Sequence, residues 1–377
     1  MRVLARVLIA TTIVLSGPAL FAQGALSVQG FGYPGGQLST QALATGGAMA
    51  EFDPQSPLNP AALGVGKRAL VYVQYDPEFR SLSLPGSSVS TTTARFPLFA
   101  VTGRYGKATF GLAFSSYVDR TWTNTFADTQ VVSGEKIGSR LAASSAGGIS
   151  DLRVAMSWTF TPRFVVGIGA HAFPGNNRTS IGRVFDDSLR FGNFSSTSTM
   201  AYNGTALSVG VVAVPVNHVN FAASARFGGT LRIRMGDSTV LGEGRVPGRY
   251  GVGLAFDGLP GTVFSARFNT ERWSDLKGLG SAGLALHDAT EAAAGVETIG
   301  PRIAGQTTVL RLGYRNRDLP FSSDANTVKE RSINGGVGMP IARGIMAIDL
   351  AVAHAVRTSG AISETGWIVS VGLAIRP

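Results

Sequence analysis

The chain has 377 residues, no cysteine, 49 glycines, 15% charged residues and a formal net charge of +10. The absence of cysteine excludes disulfide bonds and a lipid-modified N-terminal cysteine. The basic residues are scattered singly, which argues against nucleic acid as a partner and fits attraction to lipid phosphates, an anionic ligand, or plain solubility.

Residues 1–22 have the pattern of a cleaved secretory signal peptide. Arg2 and Arg6 precede an apolar run over residues 7–20, and Ala22 supplies the small residue that a signal peptidase needs. A transmembrane anchor is the alternative, but the run is shorter than the ~20 apolar residues that a bilayer core requires. The sequence therefore predicts an exported protein.

Residues 23–67 are predicted to form short helical turns instead of strands. The stretch DPQSPLNPAAL, residues 53–63, carries three prolines at a spacing of three, and proline lacks the donor that a sheet or helix interior needs. Asn59 is a suitable helix N-cap, Pro60 a suitable first helical residue, and Gly64 a suitable left-handed cap. We expect a compact, irregular segment here.

The rest of the chain alternates between large and small side chains with a period of two. In residues 346–353 one parity contains Met346, Ile348, Leu350 and Val352, and the other contains Ala347, Asp349, Ala351 and Ala353. The second face of a soluble sandwich would carry water-seeking side chains, whereas here it is dominated by glycine, alanine and serine. This pattern is typical of a barrel wall with lipid outside and a crowded interior.

Segments with this alternation number about 14, the even number expected of a single-chain outer-membrane barrel. They span residues 69–76, 95–105, 107–126, 146–160, 163–185, 195–214, 218–233, 246–257, 262–270, 290–298, 307–315, 329–339, 345–354 and 364–375. No window of ~18 consecutive apolar residues recurs after the signal peptide, so membrane-spanning helices are not expected.

The predicted fold class is an all-β transmembrane antiparallel barrel of about 14 strands. Eight strands enclose a lumen that side chains can fill, and 16 to 18 enclose an open channel, so about 14 would leak unless occupied. We expect residues 68–377 to form the barrel and residues 23–67 to form an N-terminal hatch of short helical turns inside its lumen.

Residues 38–63 resemble the N-terminal hatch of the FadL-type outer-membrane transporters of long-chain fatty acids and aromatic hydrocarbons. The family's hatch motifs correspond here, in order, to Gly46, Gly47 and Ala48, to Asp53, and to Asn59, Pro60 and Ala61. Further similarity occurs in residues 246–256, 272–276, 310–321 and 332–350.

The resemblance implies a bacterial outer-membrane protein whose hatch blocks axial flow. Hydrophobic small molecules would enter from outside and leave sideways through the wall into the bilayer, with outer-membrane lipid as the other partner. A related branch of the same superfamily serves type IX secretion, where the barrel binds or shuttles secreted proteins. The sequence pattern leaves this alternative, with a secretion-machinery partner, open.

We predict no enzyme activity, catalytic residue, cofactor or metal site. The four histidines are far apart and lack metal-ligand spacing. Asp186 and Asp187 are adjacent, so on a strand they would point to opposite faces, and no serine lies in a nucleophile elbow.

The tryptophans are interpreted as members of the aromatic girdles that flank the apolar band of a membrane barrel, with ordinary core packing as the alternative. They are Trp122, Trp158, Trp273 and Trp367, and Tyr105 and Tyr250 are expected to join them.

Overall fold

The computed structural model describes residues 31–66, 69–84, 87–132, 134–236, 239–279, 285–322, 327–360 and 362–376. The predicted signal peptide lies outside the described residues. None of the helices in these ranges combines the length and the apolar composition that a bilayer crossing needs.

Strands dominate the described residues. They are β1 (Tyr33–Pro34), β2 (Leu70–Leu84), β3 (Ser87–Tyr105), β4 (Ala108–Asp119), β5 (Trp122–Val132), β6 (Glu135–Thr161), β7 (Phe164–Ala172), β8 (Gly175–Phe185), β9 (Phe194–Val216), β10 (Val219–Met235), β11 (Val240–Arg245), β12 (Arg249–Leu259), β13 (Thr262–Glu271), β14 (Ala285–Leu286), β15 (Ala289–Ile303), β16 (Gln306–Leu319), β17 (Phe321–Ser322), β18 (Val328–Ile341), β19 (Met346–Ser359) and β20 (Ile362–Ile375).

Fourteen of these strands form a closed antiparallel barrel. Each wall strand pairs with its two neighbours in the ring, and β20 closes the ring on β2, with Val71 opposite Ile375 and Ser83 opposite Ser363. The wall strands, in ring order, are β2, β3, β4, β6, β7, β9, β10, β12, β13, β15, β16, β18, β19 and β20. Each of the fourteen predicted segments overlaps one of them, so the predicted fold class is confirmed.

The two ends of the barrel differ. Short connections such as 106–107 and 162–163 join the wall strands at one end, and the other end carries the long connections. At the end with the long connections, three additional strands extend the sheet by pairing with the ends of the wall strands β6, β9 and β10; these strands are β5, β8 and β11.

Two of the predicted segments were too long. Residues 107–126 divide after Asp119, where the Asp119 carboxylate accepts a hydrogen bond from the Thr121 amide and turns the chain. Residues 163–185 divide at Phe173 and Pro174, because proline has no amide hydrogen to donate to a neighbouring strand.

The wall turns its large side chains outward, as the alternation predicts. On β19, Leu350 and Val352 are 45% and 44% exposed, whereas Ala351 and Ala353 are 1% and 0% exposed. The small inner face therefore leaves room for chain inside the barrel.

The described helices are short. They are α1 (Thr40–Ala44) and three 3-10 helices at Pro60–Val65, Trp273–Leu279 and Ala342–Gly344. Asn59 caps the first of the 3-10 helices as expected, since its side chain accepts a hydrogen bond from the Ala61 amide. The expected left-handed cap at Gly64 is wrong, because the helix continues to Val65 and ends at Gly66 with extended backbone (φ −62°, ψ 129°).

Candidate functional site

The described N-terminal segment, residues 31–66, crosses the barrel interior. Its helix α1 contacts β16, β18, β19 and β20, and the 3-10 helix Pro60–Val65 contacts β4, β6, β7 and β9. These two groups of strands lie on nearly opposite sides of the closed ring. The segment thus bridges the lumen from wall to wall.

Glycines on the inner face let the segment approach the wall backbone. A Cβ atom at Gly210 would lie 1.9 Å from Asn59 Oδ1, and one at Gly313 would lie 2.0 Å from the Thr45 carbonyl carbon. Both distances are far below van der Waals contact, so a larger residue at either position would push the segment away. The small residues at alternate positions of the wall strands therefore make room for the segment inside the barrel.

Asn59, Pro60 and Ala61 lie together against β7 and β9. The Asn59 side chain donates to the carbonyl oxygens of Glu51 and Val211 at 2.9 and 3.2 Å, which ties the segment to itself and to the wall. Asn59 and Ala61 are fully buried. These residues shape the segment and its seat on the wall.

Gly46, Gly47 and Ala48 form the turn after α1. Gly46 and Gly47 have φ angles of +66° and +90°, the left-handed region that favours glycine. A Cβ at Gly46 would also lie 2.9 Å from the Tyr314 backbone on β16, and Ala48 is fully buried. Both glycines are therefore required by conformation, and Gly46 also by space.

Asp53 is buried, and none of its partners among the described residues is a cation. Its carboxylate accepts hydrogen bonds at 2.5 to 2.9 Å, and the donors are the hydroxyls of Ser39 and Ser56, the amide group of Gln41 and the backbone amide of Gln55. The side chain thus joins the two halves of the segment. These contacts of Asp53 are within the segment, whereas Asn59 also contacts the wall.

Glu51 is the main charged contact between segment and wall, and the sequence analysis did not identify it. Its fully buried carboxylate pairs with the Arg249 guanidinium, lies 3.4 Å from Arg267 Nε, and accepts a hydrogen bond of 2.8 Å from the Ser224 hydroxyl. Burial by itself raises the pKa of Glu51, but Arg249 and Arg267 outweigh burial and hold this pKa below its ordinary value. Glu51 is therefore ionised at neutral pH.

A second buried charge cluster surrounds Tyr33 on β1. The Tyr33 hydroxyl donates to Glu330 at 3.1 Å and accepts from Arg317 and Arg357. Arg357 also pairs with Glu78 at 2.8 Å, with Glu330 at 2.6 Å and with Glu364 at 2.5 Å. This cluster holds the start of the segment against the wall.

An apolar cluster fills the interior near the end with the long connections. It contains Phe31, Tyr117, Val118, Ile149, Phe173, Tyr202, Ala206, Leu231, Ile233, Val246, Trp273, Leu276, Leu279 and Phe321. Trp273 is only 1% exposed, so its predicted place in an outer girdle is wrong. Trp158 and Trp367, at 41% and 52% exposure, do face outward.

The wall has a cleft between β3 and β4. These strands pair only over Leu98–Tyr105 and Ala108–Ser115, although β3 continues to Ser87 as a partner of β2. Residues of β3, β4 and β6 line the resulting cleft of about 420 Å³, among them Thr92, Phe114 and Gly148. Strand β1 pairs with β4 beside the cleft. Across the cleft, Arg95 of β3 forms an ion pair of 2.6 Å with Asp119 of β4.

Solved structures with a similar fold include a FadL homologue and two toluene transporters. A Pseudomonas aeruginosa FadL homologue is 12% identical, with a TM-score of 0.62 over 92% of this chain and 99% of that chain. The P. putida toluene transporter TodX is 13% identical, with a TM-score of 0.56 over 92% and 99%. The Ralstonia pickettii toluene transporter TbuX is 15% identical, with a TM-score of 0.53 over 90% and 98%.

No protein-family model matches the sequence, and no curated protein matches it either. The structural similarity therefore establishes the fold, and the expected resemblance to the FadL-type barrels is confirmed at that level.

Proposed function

We propose that this protein carries hydrophobic small molecules across the bacterial outer membrane and releases them sideways through its wall. The observation that carries the proposal is the order of layers inside the barrel. The apolar cluster lies toward the long connections and includes Phe31 at the start of the N-terminal segment. Glu51 with Arg249 and Arg267 lies deeper in the barrel, and the β3–β4 cleft lies beside Val118 and Ile149 of the apolar cluster.

In this proposal residues 31–66 act as a hatch that closes the axial route. Asn59, Pro60 and Ala61 seat it on β7 and β9, Gly46, Gly47 and Ala48 turn it back from β16, and Asp53 holds its halves together. An apolar molecule that met Glu51 and its arginines would have to displace buried charge. Axial passage is therefore unfavourable on both steric and electrostatic grounds.

The β3–β4 cleft is the proposed exit. A molecule that passes between these strands reaches lipid without crossing water, and avoids the cost of about 0.8 kcal/mol for each exposed methylene. Strand β1 lies at this cleft and would have to move aside. The long connections would then face the cell exterior, as in other outer-membrane barrels.

The proposed transport involves no catalysis. Asp151, His171 and Ser208 do form a hydrogen-bonded chain, with 2.8 Å between Asp151 Oδ1 and His171 Nδ1 and 2.9 Å between His171 Nε2 and Ser208 Oγ. All three are at most 5% exposed. We assign them to joining β6, β7 and β9, and an esterase activity that Ser208→Ala abolishes would contradict this.

Flux through vesicles tests the proposal. Vesicles with lipopolysaccharide in the outer leaflet should take up a labelled long-chain fatty acid or toluene faster with the protein than without it. In this cysteine-free chain, the variant Pro34→Cys/Val118→Cys joins directly opposed residues of β1 and β4. Oxidation should slow uptake and reduction should restore it, whereas uptake equal to that of protein-free vesicles would refute the function.

The comparisons do not favour the secretion-associated alternative. Co-purification of a secreted protein with the intact barrel would support it.

A further inference from the structure

The indole ring of Trp273 occupies the centre of the apolar cluster. Trp273 is the second residue after β13 and begins the 3-10 helix Trp273–Leu279 in the connection toward β15. Its ring stacks on Tyr117 of β4, with 5.4 Å between centroids and 11° between planes. It meets Phe321 edge to face, with 5.2 Å between centroids and 77° between planes.

The surroundings of this ring are aromatic on several sides. Tyr117 in turn packs edge to face on Phe173 at 4.8 Å, and Phe31 links Phe321 to Tyr202 at 5.7 and 5.9 Å. Aromatic rings at such separations favour stacked and perpendicular partners, and each pair adds to the gain from burial alone. The site therefore suits a flat ring better than a flexible alkyl chain.

Little space remains beside the indole. The adjoining cavity measures about 40 Å³, enough for one or two waters. Tyr117, Trp273 and Leu58 line its apolar side, and Arg249 and Arg267 line its polar side. A hydrophobic molecule can therefore occupy this part of the lumen only after the indole has left.

The described part of the connection that carries Trp273 lies at the barrel mouth. Leu276 and Leu279 bury themselves with Trp273, and the 3-10 helix packs on β11. The two-stranded sheet of β14 and β17 joins this connection to the one between β16 and β18, which carries Phe321. Trp273 and Phe321 thus belong to two connections that this small sheet links.

We propose that Trp273 is a built-in competitor for the cargo site, and that the cargo that displaces it is a planar molecule of one or two aromatic rings. This inference rests on the proposed transport function and names its substrate class. The free protein keeps its lumen filled by its own side chain. Cargo binds only to the fraction of molecules in which the indole has swung out, which lowers the apparent affinity by that fraction.

Removal of the indole should create a site for an added ring. We expect Trp273→Ala to bind indole and toluene at least tenfold more tightly than the wild type, measured by titration calorimetry in nanodiscs. The matched control is Trp158→Ala, which removes an outward-facing ring that is 41% exposed and should leave affinity unchanged. Decanoate should gain less than twofold in either variant.

Two outcomes of this titration would overturn the inference. Unchanged indole and toluene affinity in folded Trp273→Ala protein would show that the ring does not compete with cargo. An equal gain for decanoate would show that the site does not select planar rings. Folding is checked by the heat-dependent gel mobility of the barrel.

A second measurement keeps the native indole and covers the case in which Trp273→Ala does not fold. Replacement of Trp122, Trp158 and Trp367 by phenylalanine leaves Trp273 as the only tryptophan of the chain. Addition of toluene should then shift the fluorescence emission of Trp273 to the red in a saturable way, as the indole ring leaves its buried site. An unshifted spectrum would overturn the inference.

The two proposals fail in different ways. Displacement of Trp273 without flux through vesicles would contradict transport alone. Flux of toluene without displacement of Trp273 would contradict only the competitor role.

Discussion

Glu51→Gln should loosen the N-terminal segment without unfolding the barrel. The carboxylate is fully buried, pairs with Arg249 and lies 3.4 Å from Arg267. Glutamine keeps the shape but removes the charge, so two buried guanidinium groups lose their shared counter-ion. The loss of one partner from a buried ion pair costs about 3 to 5 kcal/mol.

The expected effect is large enough to measure by hydrogen exchange. A loss of about 3 kcal/mol raises the fraction of molecules with an undocked segment roughly 150-fold. The reporter amides are those of Leu43 and Gly47, which donate to Ser39 and Ala42 at 2.8 and 2.7 Å. Their exchange should accelerate by about two orders of magnitude, while amides of the wall strands should keep their protection.

The matched control is Glu243→Gln. Glu243 pairs with Arg232 at 2.6 Å, but both side chains are about half exposed, at 50% and 51%. Exposed pairs contribute only about 0 to 1 kcal/mol, so this change should leave exchange of the segment unaltered. Equal effects of the two substitutions, or none from Glu51→Gln, would refute the assignment of Glu51 as the docking charge.

Three further predictions concern the wall and the segment. Leu350 points outward, where the proposed function places lipid, so Leu350→Arg should cost about 2 to 4 kcal/mol in barrel unfolding by guanidinium. Leu189→Arg, in a fully solvated connection, should cost under about 0.5 kcal/mol. Equal costs would contradict the outward facing of Leu350. Gly210→Leu should undock the segment because the new side chain would overlap Asn59. The control Gly103→Leu should not undock it, since a Cβ at Gly103 meets no atom within 4 Å. Hydrogen exchange of the Ala62 amide measures both effects. Because the pKa of Glu51 is lowered in the docked state, the contribution of Glu51 to docking is full above about pH 4.3, and it is lost only as the pH falls through the lowered pKa. At pH 5 the hydrogen exchange of the wild-type segment should therefore remain slow, and exchange as fast as in Glu51→Gln would contradict the charge assignment.

The barrel was predictable because one local rule governs its wall. Adjacent residues such as Leu350 and Ala351 face outward and toward the lumen respectively, and this alternation is visible in any short window of the wall sequence. The strands that leave the membrane obey no such rule. Residues 87–93 of β3 are mainly serine and threonine, so their extension beyond the membrane left no periodic signal.

The contacts inside the lumen were not predictable from sequence. Glu51 and Arg249 meet across 198 positions, and only the register of the closed sheet brings them together. Trp273 was assigned to a girdle because tryptophan is common at membrane interfaces. Its burial depends on a connection folding inward, which depends on space that the small-residue face leaves. The one hint in the sequence was that Glu51 is a lone acid within the otherwise apolar stretch 48–52.

A disulfide test addresses the central claim, that the N-terminal segment lies inside the barrel against the small-residue face. A Cβ at Gly64 would lie 2.6 Å from Val165 Cγ1, and Val165 points inward at 6% exposure. The double variant Gly64→Cys/Val165→Cys should therefore cross-link on mild oxidation, and Gly64→Cys/Val166→Cys, one residue along the same strand, should not. No cross-link in the first variant, or equal cross-linking in both, would contradict the account.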